Sequence, residues 1–266
     1  MRALIRAELV ARRRMLSGLS AGAFGILLIV AATYRSLGVD LLGQGFARRT
    51  PKSFSALSGT AGADLLTPQG WLGFGFAHPL FLVYSLTVAI AVPAAAIAGE
   101  VETGRAELLF VRPRGRQAFL GASIAVWAVA QLTVAAAACA GALLGAAFDP
   151  DVSGVGPGPI VVTALQGLTL FALVASVAFL ASALARTRSQ AAGVAIAVTA
   201  GLYLVNFVSS LVDGIGWLRW CSPFGYYEPV STMSDGFAFG RAAVLLAASV
   251  LLLALAARAL ERRDLR

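Results

Sequence analysis

Charge is scarce in this chain. Only 13% of its 266 residues are Asp, Glu, Lys or Arg, where a soluble domain carries about 25%. Lys52 is the single lysine and His78 the single histidine. A phosphate-cradling loop of the form G-x-x-x-x-G-K-[ST] needs a lysine behind its glycines. Lys52 stands in "TPKSF", with no such frame around it. The chain therefore cannot hydrolyse ATP by that machinery and is not expected to be an enzyme. His78 has no serine nucleophile in a suitable setting and no pair of embedded aspartates accompanies it, which excludes an intramembrane protease. Standing directly before Pro79, it reads as a residue that starts a span. The two cysteines, Cys139 and Cys221, fall in different segments and give neither a disulfide framework nor zinc spacing. No metal site is expected.

What the chain has is hydrophobicity: 59% of its residues, and a mean hydropathy of +0.82. A spanning helix needs roughly 20 apolar residues. Six runs reach that length, at about 17–37, 77–99, 119–147, 159–184, 190–212 and 239–258. None shows the alternation of a barrel strand. They are rich in Ala, Gly, Leu and Val, and small residues let helices approach closely in lipid. The expected fold is an all-α integral membrane protein with six transmembrane helices, a single membrane domain over 1–266 without repeats. The first run is longer than the apolar core of a signal peptide, so it is expected to be retained.

The arginines orient it. With both termini cytoplasmic, the inner pieces hold fifteen of the twenty-one basic residues and six acids, a sum of +9, and the outer pieces sum to −1. This is the positive-inside pattern. It accounts for the basic balance without nucleic acid, for which no basic face on a soluble domain exists. The opening stretch "MRALIRAELVARRR", about 1–14, places Arg2, Arg6 and Arg13 within about 40° of one another on a helix. Leu4, Ala7 and Ala11 lie on another face. An amphipathic helix on the inner surface, its arginines toward lipid headgroups, follows from that spacing, and a plain topogenic basic tail reads equally well.

Ionisable residues at membrane depth mark ion and proton pathways, and the cores of these spans hold essentially none. Gln131, Gln166 and Asn206 are the main polar side chains at depth. They are the candidates for a translocation path, which would be mostly apolar and suited to a lipophilic or amphipathic substrate. An outer stretch at 38–76 carries Trp71, Phe74 and Phe76, placed as an interfacial aromatic belt. A second outer stretch, 213–238, is strongly aromatic, with Trp217, Trp220, Phe224, Tyr226, Tyr227 and Phe237.

Against this background "AGEVETGRAELLFVRPRGR", 98–116, packs three glutamates and four arginines behind the second span. Read as a helix, Glu100, Gly104, Glu107 and Val111 form one stripe. Arg112 before Pro113 ends it, and Gly115 helps the chain turn into the third span. The positive-inside rule explains the arginines but not the glutamates. A compact charged elbow suits docking to a soluble partner.

These residues carry a resemblance. "IAGEVETGRAELLFVRPRGRQAFLGAS", 97–123, resembles the segment after the second span of ABC-2-type (type V) ABC transporter permeases, roughly I-x-x-E-x-E-x-G-T-x-E-L-L-L-x-x-P-x-x-R. Glu100, Glu102, Gly104, Glu107, Leu108, Leu109, Pro113 and Arg116 match, while Arg105 stands where Thr is usual. "CSPFGYYEP", 221–229, resembles the S-P-F-x-Y-x-x-P stretch before the last span. The resemblance implies a permease subunit of a bacterial inner-membrane exporter. Its segment 100–116, with Arg105, Arg112 and Arg116, would be a coupling helix seated on an ATPase subunit, with Arg186 and Arg188 as a lesser second contact. It implies two ATPase chains, which would hold ATP and Mg, and a second permease copy or a paralogue, all amid membrane lipids. Pro223, Phe224, Tyr226 and Tyr227 would cap the outer mouth; interfacial anchoring explains those aromatics as well. Two other classes stay open from sequence: an ATP-independent carrier or channel, and a non-transporting membrane protein.

Overall fold

The computed structural model describes residues 2–36, 64–104, 113–212 and 214–263. The described residues are helical, with no strand among them. Helices α1 (Arg2–Ala11) and α2 (Arg13–Ala32) are followed by α3 (Pro68–Ala77), α4 (Pro79–Ala96) and the short α5 (Ala98–Glu102). Then come α6 (Pro113–Ala146), α7 (Pro150–Ser153), α8 (Pro157–Leu184), α9 (Arg188–Leu211), α10 (Pro229–Asp235) and α11 (Phe239–Arg262). Two 3-10 helices, Gly216–Cys221 and Pro223–Tyr226, precede α10. Six of these helices, α2, α4, α6, α8, α9 and α11, are long and apolar enough to cross a membrane. This is a multi-pass membrane protein, and the spans read from the sequence fall on those six helices.

Proline sets the starts. Seven of the ten prolines are the first residue of a helix: Pro68, Pro79, Pro113, Pro150, Pro157, Pro223 and Pro229. The first helical N–H has no intrahelical acceptor, so proline loses nothing there and its fixed φ suits the turn. Side chains cap several of the same starts. Thr67 accepts from Gly70 N at 3.0 Å and Asp149 from Asp151 N at 3.0 Å. As expected, His78 starts a span: its Nδ1 accepts from Leu80 N at 3.2 Å. Burial lowers the pKa of its imidazole, which favours the neutral, accepting form. Since α6 already starts at Pro113, Gly115 lies in its first turn and not in a turn ahead of it.

Helix α8 is the centre of the bundle and the most buried of the six spans. It packs against α4, α6, α9 and α11. The most intimate pairing is α2 on α6. There Gly141 and Gly145, one turn apart, let the backbones meet. A Cβ at Gly141 would lie 2.1 Å from the Phe24 carbonyl oxygen, and one at Gly145 2.4 Å from that of Leu28.

The two ends of the bundle differ. One gathers Arg12, Glu100, Arg116, Arg186 and Arg263; the other gathers Tyr34, Trp71, Phe224 and Tyr227. Helix α1 lies against α6 at the arginine end. Ile5 and Leu9 face the core while Arg6, Ala7 and Ala11 are exposed. Hence the stripe of Ala7 and Ala11 is left outside, and a neighbouring stripe does the packing. Glu8 and Arg12, at i and i+4, pair beside it.

The aromatic end departs most from the sequence reading. Residues 68–77 form the buried helix α3, not an interfacial belt: Trp71 is 6% exposed and Phe76 fully buried. Trp71 Nε1 donates to Val30 O at 2.6 Å, and Tyr34 Oη to Leu66 O at 2.6 Å. Helix α3 packs on α10 where a glycine permits it: a Cβ on Gly73 would be 2.6 Å from Val230 Cα.

Candidate functional site at the arginine end and along the groove between α4 and α9

The charged elbow begins at a fault in α4. Pro93 inside that helix has no N–H to give, which interrupts the ladder. Four residues later a side chain from α8 enters the break. The buried Ser182 hydroxyl donates to Ala94 O at 3.0 Å. It accepts from Ile97 N at 3.1 Å and Ala98 N at 2.9 Å. The Ala98 amide and Ala94 carbonyl, partners in a regular helix, are bridged by this hydroxyl instead. A side chain inserted into the ladder is a recognised cause of a sharp kink. Helix α5 leaves α4 here.

It is short. Gly104 takes φ +71°, which a glycine adopts without strain, and the helix stops. Of the stripe expected through Glu100, Gly104, Glu107 and Val111, Glu100 lies on α5 and Gly104 beyond its end, while Glu107 and Val111 lie outside the described residues. Arg105, Glu107, Leu108, Leu109 and Arg112 lie outside the described residues, and of Pro113 only the backbone is described. Glu100 is half-buried, lining a crevice with Glu8, Arg12 and Phe119. Burial, and the charge of Arg188, lower the pKa of the Arg12 guanidinium, while Glu100 acts to raise it. Glu102 is exposed, and its Oε2 accepts from the backbone N–H of Arg188 at 2.8 Å. A carboxylate at the first N–H of α9 satisfies an orphan donor and complements the helix dipole. The elbow after the second span and the turn before the fifth are thus joined directly.

Arg116 and Arg263 have internal work at the same end. The Arg116 guanidinium donates to the carbonyls of Leu260 at 3.0 Å and Glu261 at 2.7 Å, closing the C-terminus of α11. Beside it Gln117 donates to the Glu261 carboxylate at 2.6 Å. Arg263 in turn donates to Ala183 O at 2.9 Å and Ala185 O at 2.6 Å, closing α8. Cations over the last carbonyls of a helix are favourable through charge and hydrogen bonding together. Burial, with Arg186 nearby, lowers the Arg263 pKa. Arg186 and Arg188 are exposed.

Along the side of the bundle runs a groove of about 460 Å³ between α4 and α9. Leu82, Leu86, Ile90, Ile196 and Tyr203 line it, Arg188 stands at one end, and Phe224 at the other. Its walls are apolar; the Thr87 hydroxyl turns back to Val83 O at 2.7 Å. None of the three polar residues proposed for a path faces it. Gln131 is 1% exposed and its amide meets no hydrogen-bond partner among the described residues. Gln166 is also 1% exposed, with Oε1 accepting from Ala238 N at 3.2 Å. Asn206 sits half-buried with Oδ1 beside Gly225.

At the aromatic end the residues expected as a cap do fold inward. Pro223, Phe224 and Tyr227 are buried, Tyr226 half so. Ser222 begins that segment by donating to Leu202 O of α9 at 2.7 Å and accepting from Phe224 N at 3.2 Å. Phe224 meets Tyr203 edge-on, 5.2 Å between ring centroids. Trp217 and Trp220 stay exposed, as interfacial anchors do. Arg219 and Arg241 both pair with Glu228, whose Oε2 also accepts from Ser231 Oγ at 3.1 Å. Tyr227 Oη donates to Phe76 O at 3.0 Å, tying this segment to α3, and full burial raises its pKa. Tyr227→Phe is expected to destabilise the protein by about 1 kcal/mol, the net worth of one such bond. Thermal unfolding in detergent measures it.

Nothing in the sequence marks Ser182 or Arg263 as a joint. Pro93 inside a span was the available signal of a broken ladder, but not of what fills the break. No protein-family model and no curated protein matches this chain.

Proposed function

We propose that the chain is the membrane-spanning permease subunit of an ATP-driven exporter of the ABC-2 class. In this reading the arginine end faces the cytoplasm of a bacterial cell and docks a separate ATPase, which binds ATP and Mg. A second permease copy or a paralogue completes the conduit. The observation that carries the reading is α5: an acidic helix, separated from its own span at Ile97, held by Ser182 of α8 and ending in an exposed Glu102. An element so placed serves as a contact for a soluble partner, and the chain has no nucleotide loop of its own. The scarcity of ionisable side chains in the cores of the spans favours a lipophilic or amphipathic cargo.

Docking would be read by both ends of the elbow. A partner that competes for Glu102 releases the first turn of α9, and so moves a wall of the groove. The partner shifts that equilibrium only by its differential affinity for the two positions. Co-purifying the chain with the products of neighbouring genes tests this. Recovery of a Walker-type ATPase is expected, with turnover that rises in the complex. Glu100→Arg should reduce that stimulation at least about tenfold, within the range of coupling energies between sites. Glu102→Gln, which keeps an acceptor for the Arg188 amide, should reduce it less and leave the melting temperature near that of the wild type. ATP-free substrate flux in liposomes, undiminished by Glu100→Arg, would overturn the proposal.

A further inference from the structure

The groove between α4 and α9 runs along the side of the bundle. From Arg188 to Tyr203 it follows sixteen residues of α9, about 22 Å at 1.5 Å per step. One leaflet of the hydrocarbon core is about 15 Å deep, so a single extended acyl chain starting at the arginine end fits along it. The groove is open on the side away from the bundle core: Val83 of α4 and Ile196 of α9, both lining it, are more than half exposed.

Arg188 decides the occupant. Among the described residues its guanidinium has no hydrogen bond or ion pair. Three carboxylates lie at this end: Glu102 holds the Arg188 main chain, Glu8 holds Arg12, and Glu100 lines the crevice beside Arg12. A guanidinium over an apolar trough, at the depth where a helix end meets headgroups, matches a phosphate with a chain attached. A second copy fits less well. Closed dimers have twofold symmetry, and an axis along the membrane normal through this groove would bring one Arg188 against the other.

We propose that the α4–α9 groove binds one anionic phospholipid of the leaflet at the arginine end, its chain along Leu86, Ile90 and Ile196 and its phosphate on Arg188. The inference rests on the membrane placement alone and needs no ATPase.

The test uses the full chain in bilayers of equal phosphatidylglycerol and phosphatidylcholine, followed by gentle detergent extraction and native mass spectrometry. One retained phosphatidylglycerol per chain is expected, preferred over phosphatidylcholine about fivefold, the selectivity of one arginine near a charged surface. Arg188→Gln should bring the preference to about one while the gel-filtration profile and melting temperature stay unchanged. Ala200→Trp, which fills the groove from a lining position that is exposed, should remove both lipids. Equal retention of the two lipids by the wild type overturns the proposal, as does a preference that survives Arg188→Gln. So does efficient disulfide trapping of two copies through Ile196→Cys, with Cys139 and Cys221 replaced by serine and no lipid retained, because a second copy then fills the groove.

Discussion

Gly141→Val is expected to abolish the folded protein. The substitution would set a branched side chain against the Phe24 carbonyl, which a single Cβ would already approach to 2.1 Å. Backbone atoms cannot rotate aside, so α2 and α6 must separate along their length. In lipid the loss is felt fully: helices associate there through close packing, not through a difference between protein and water. Overpacking in an ordinary core costs about 1–3 kcal/mol, and more where nothing flexible can yield. The expectation is therefore a loss above about 3 kcal/mol, seen as disappearance of the monodisperse peak when the extracted protein is chromatographed. Gly121→Val on the same helix is the control, because nothing lies within 4 Å of a Cβ there. Survival of the Gly141 variant with an unchanged melting temperature would refute the described contact.

Ser182→Ala is the second. The hydroxyl serves three main-chain groups at once, in a site from which water is excluded. Each buried group left without a partner costs about 1–3 kcal/mol. The Ala94 carbonyl and Ala98 amide can recover part of this by bonding to each other, so the net effect is expected at about 2–4 kcal/mol. Recovery would straighten the junction between α4 and α5 and swing Glu100 and Glu102 away from their present neighbours. Ser182→Ala should then both lower thermal stability and weaken the ATPase stimulation proposed above. Ser176→Ala is the internal comparison: its hydroxyl only turns back to Ala172 O at 2.7 Å, and its removal should change stability by less than about 1 kcal/mol. Hydrogen exchange at the Ile97 and Ala98 amides distinguishes the two, and equal protection in both variants would count against the joint.

How much of this could be read beforehand follows from what membranes demand. Lipid supplies no hydrogen bonds, so a spanning segment must be a long apolar helix or a closed barrel, and length with hydropathy located all six spans within a few residues. The short elements carried no such constraint. Helix α3, "PQGWLGFGFA", has the glycines of a loop and the aromatics of a headgroup belt. What makes it a buried helix is α10, more than 150 residues further on, lying against Gly73. Polarity at depth was ambiguous in the same way. Gln166 holds the main chain at Ala238 and is not in the wall of the α4–α9 groove, and the sequence does not show which main-chain group a glutamine at depth will hold. The charged elbow was legible as an element, since Glu100 and Glu102 are hard to explain otherwise. Its attachment was not, because Ser182 is one serine among many in an alanine-rich span.

That attachment also fixes how force would travel. With its own ladder cut at Pro93 and its following amides held by a neighbour, α4 is a poor push-rod for whatever leans on α5. A torque applied there enters through α8, held by Ser182, and through α9, held by Glu102, and α8 touches α4, α6, α9 and α11. Leverage at one small knob is thereby distributed over four membrane helices together, and tilting the bundle as a unit needs less distortion than sliding any single rod within it.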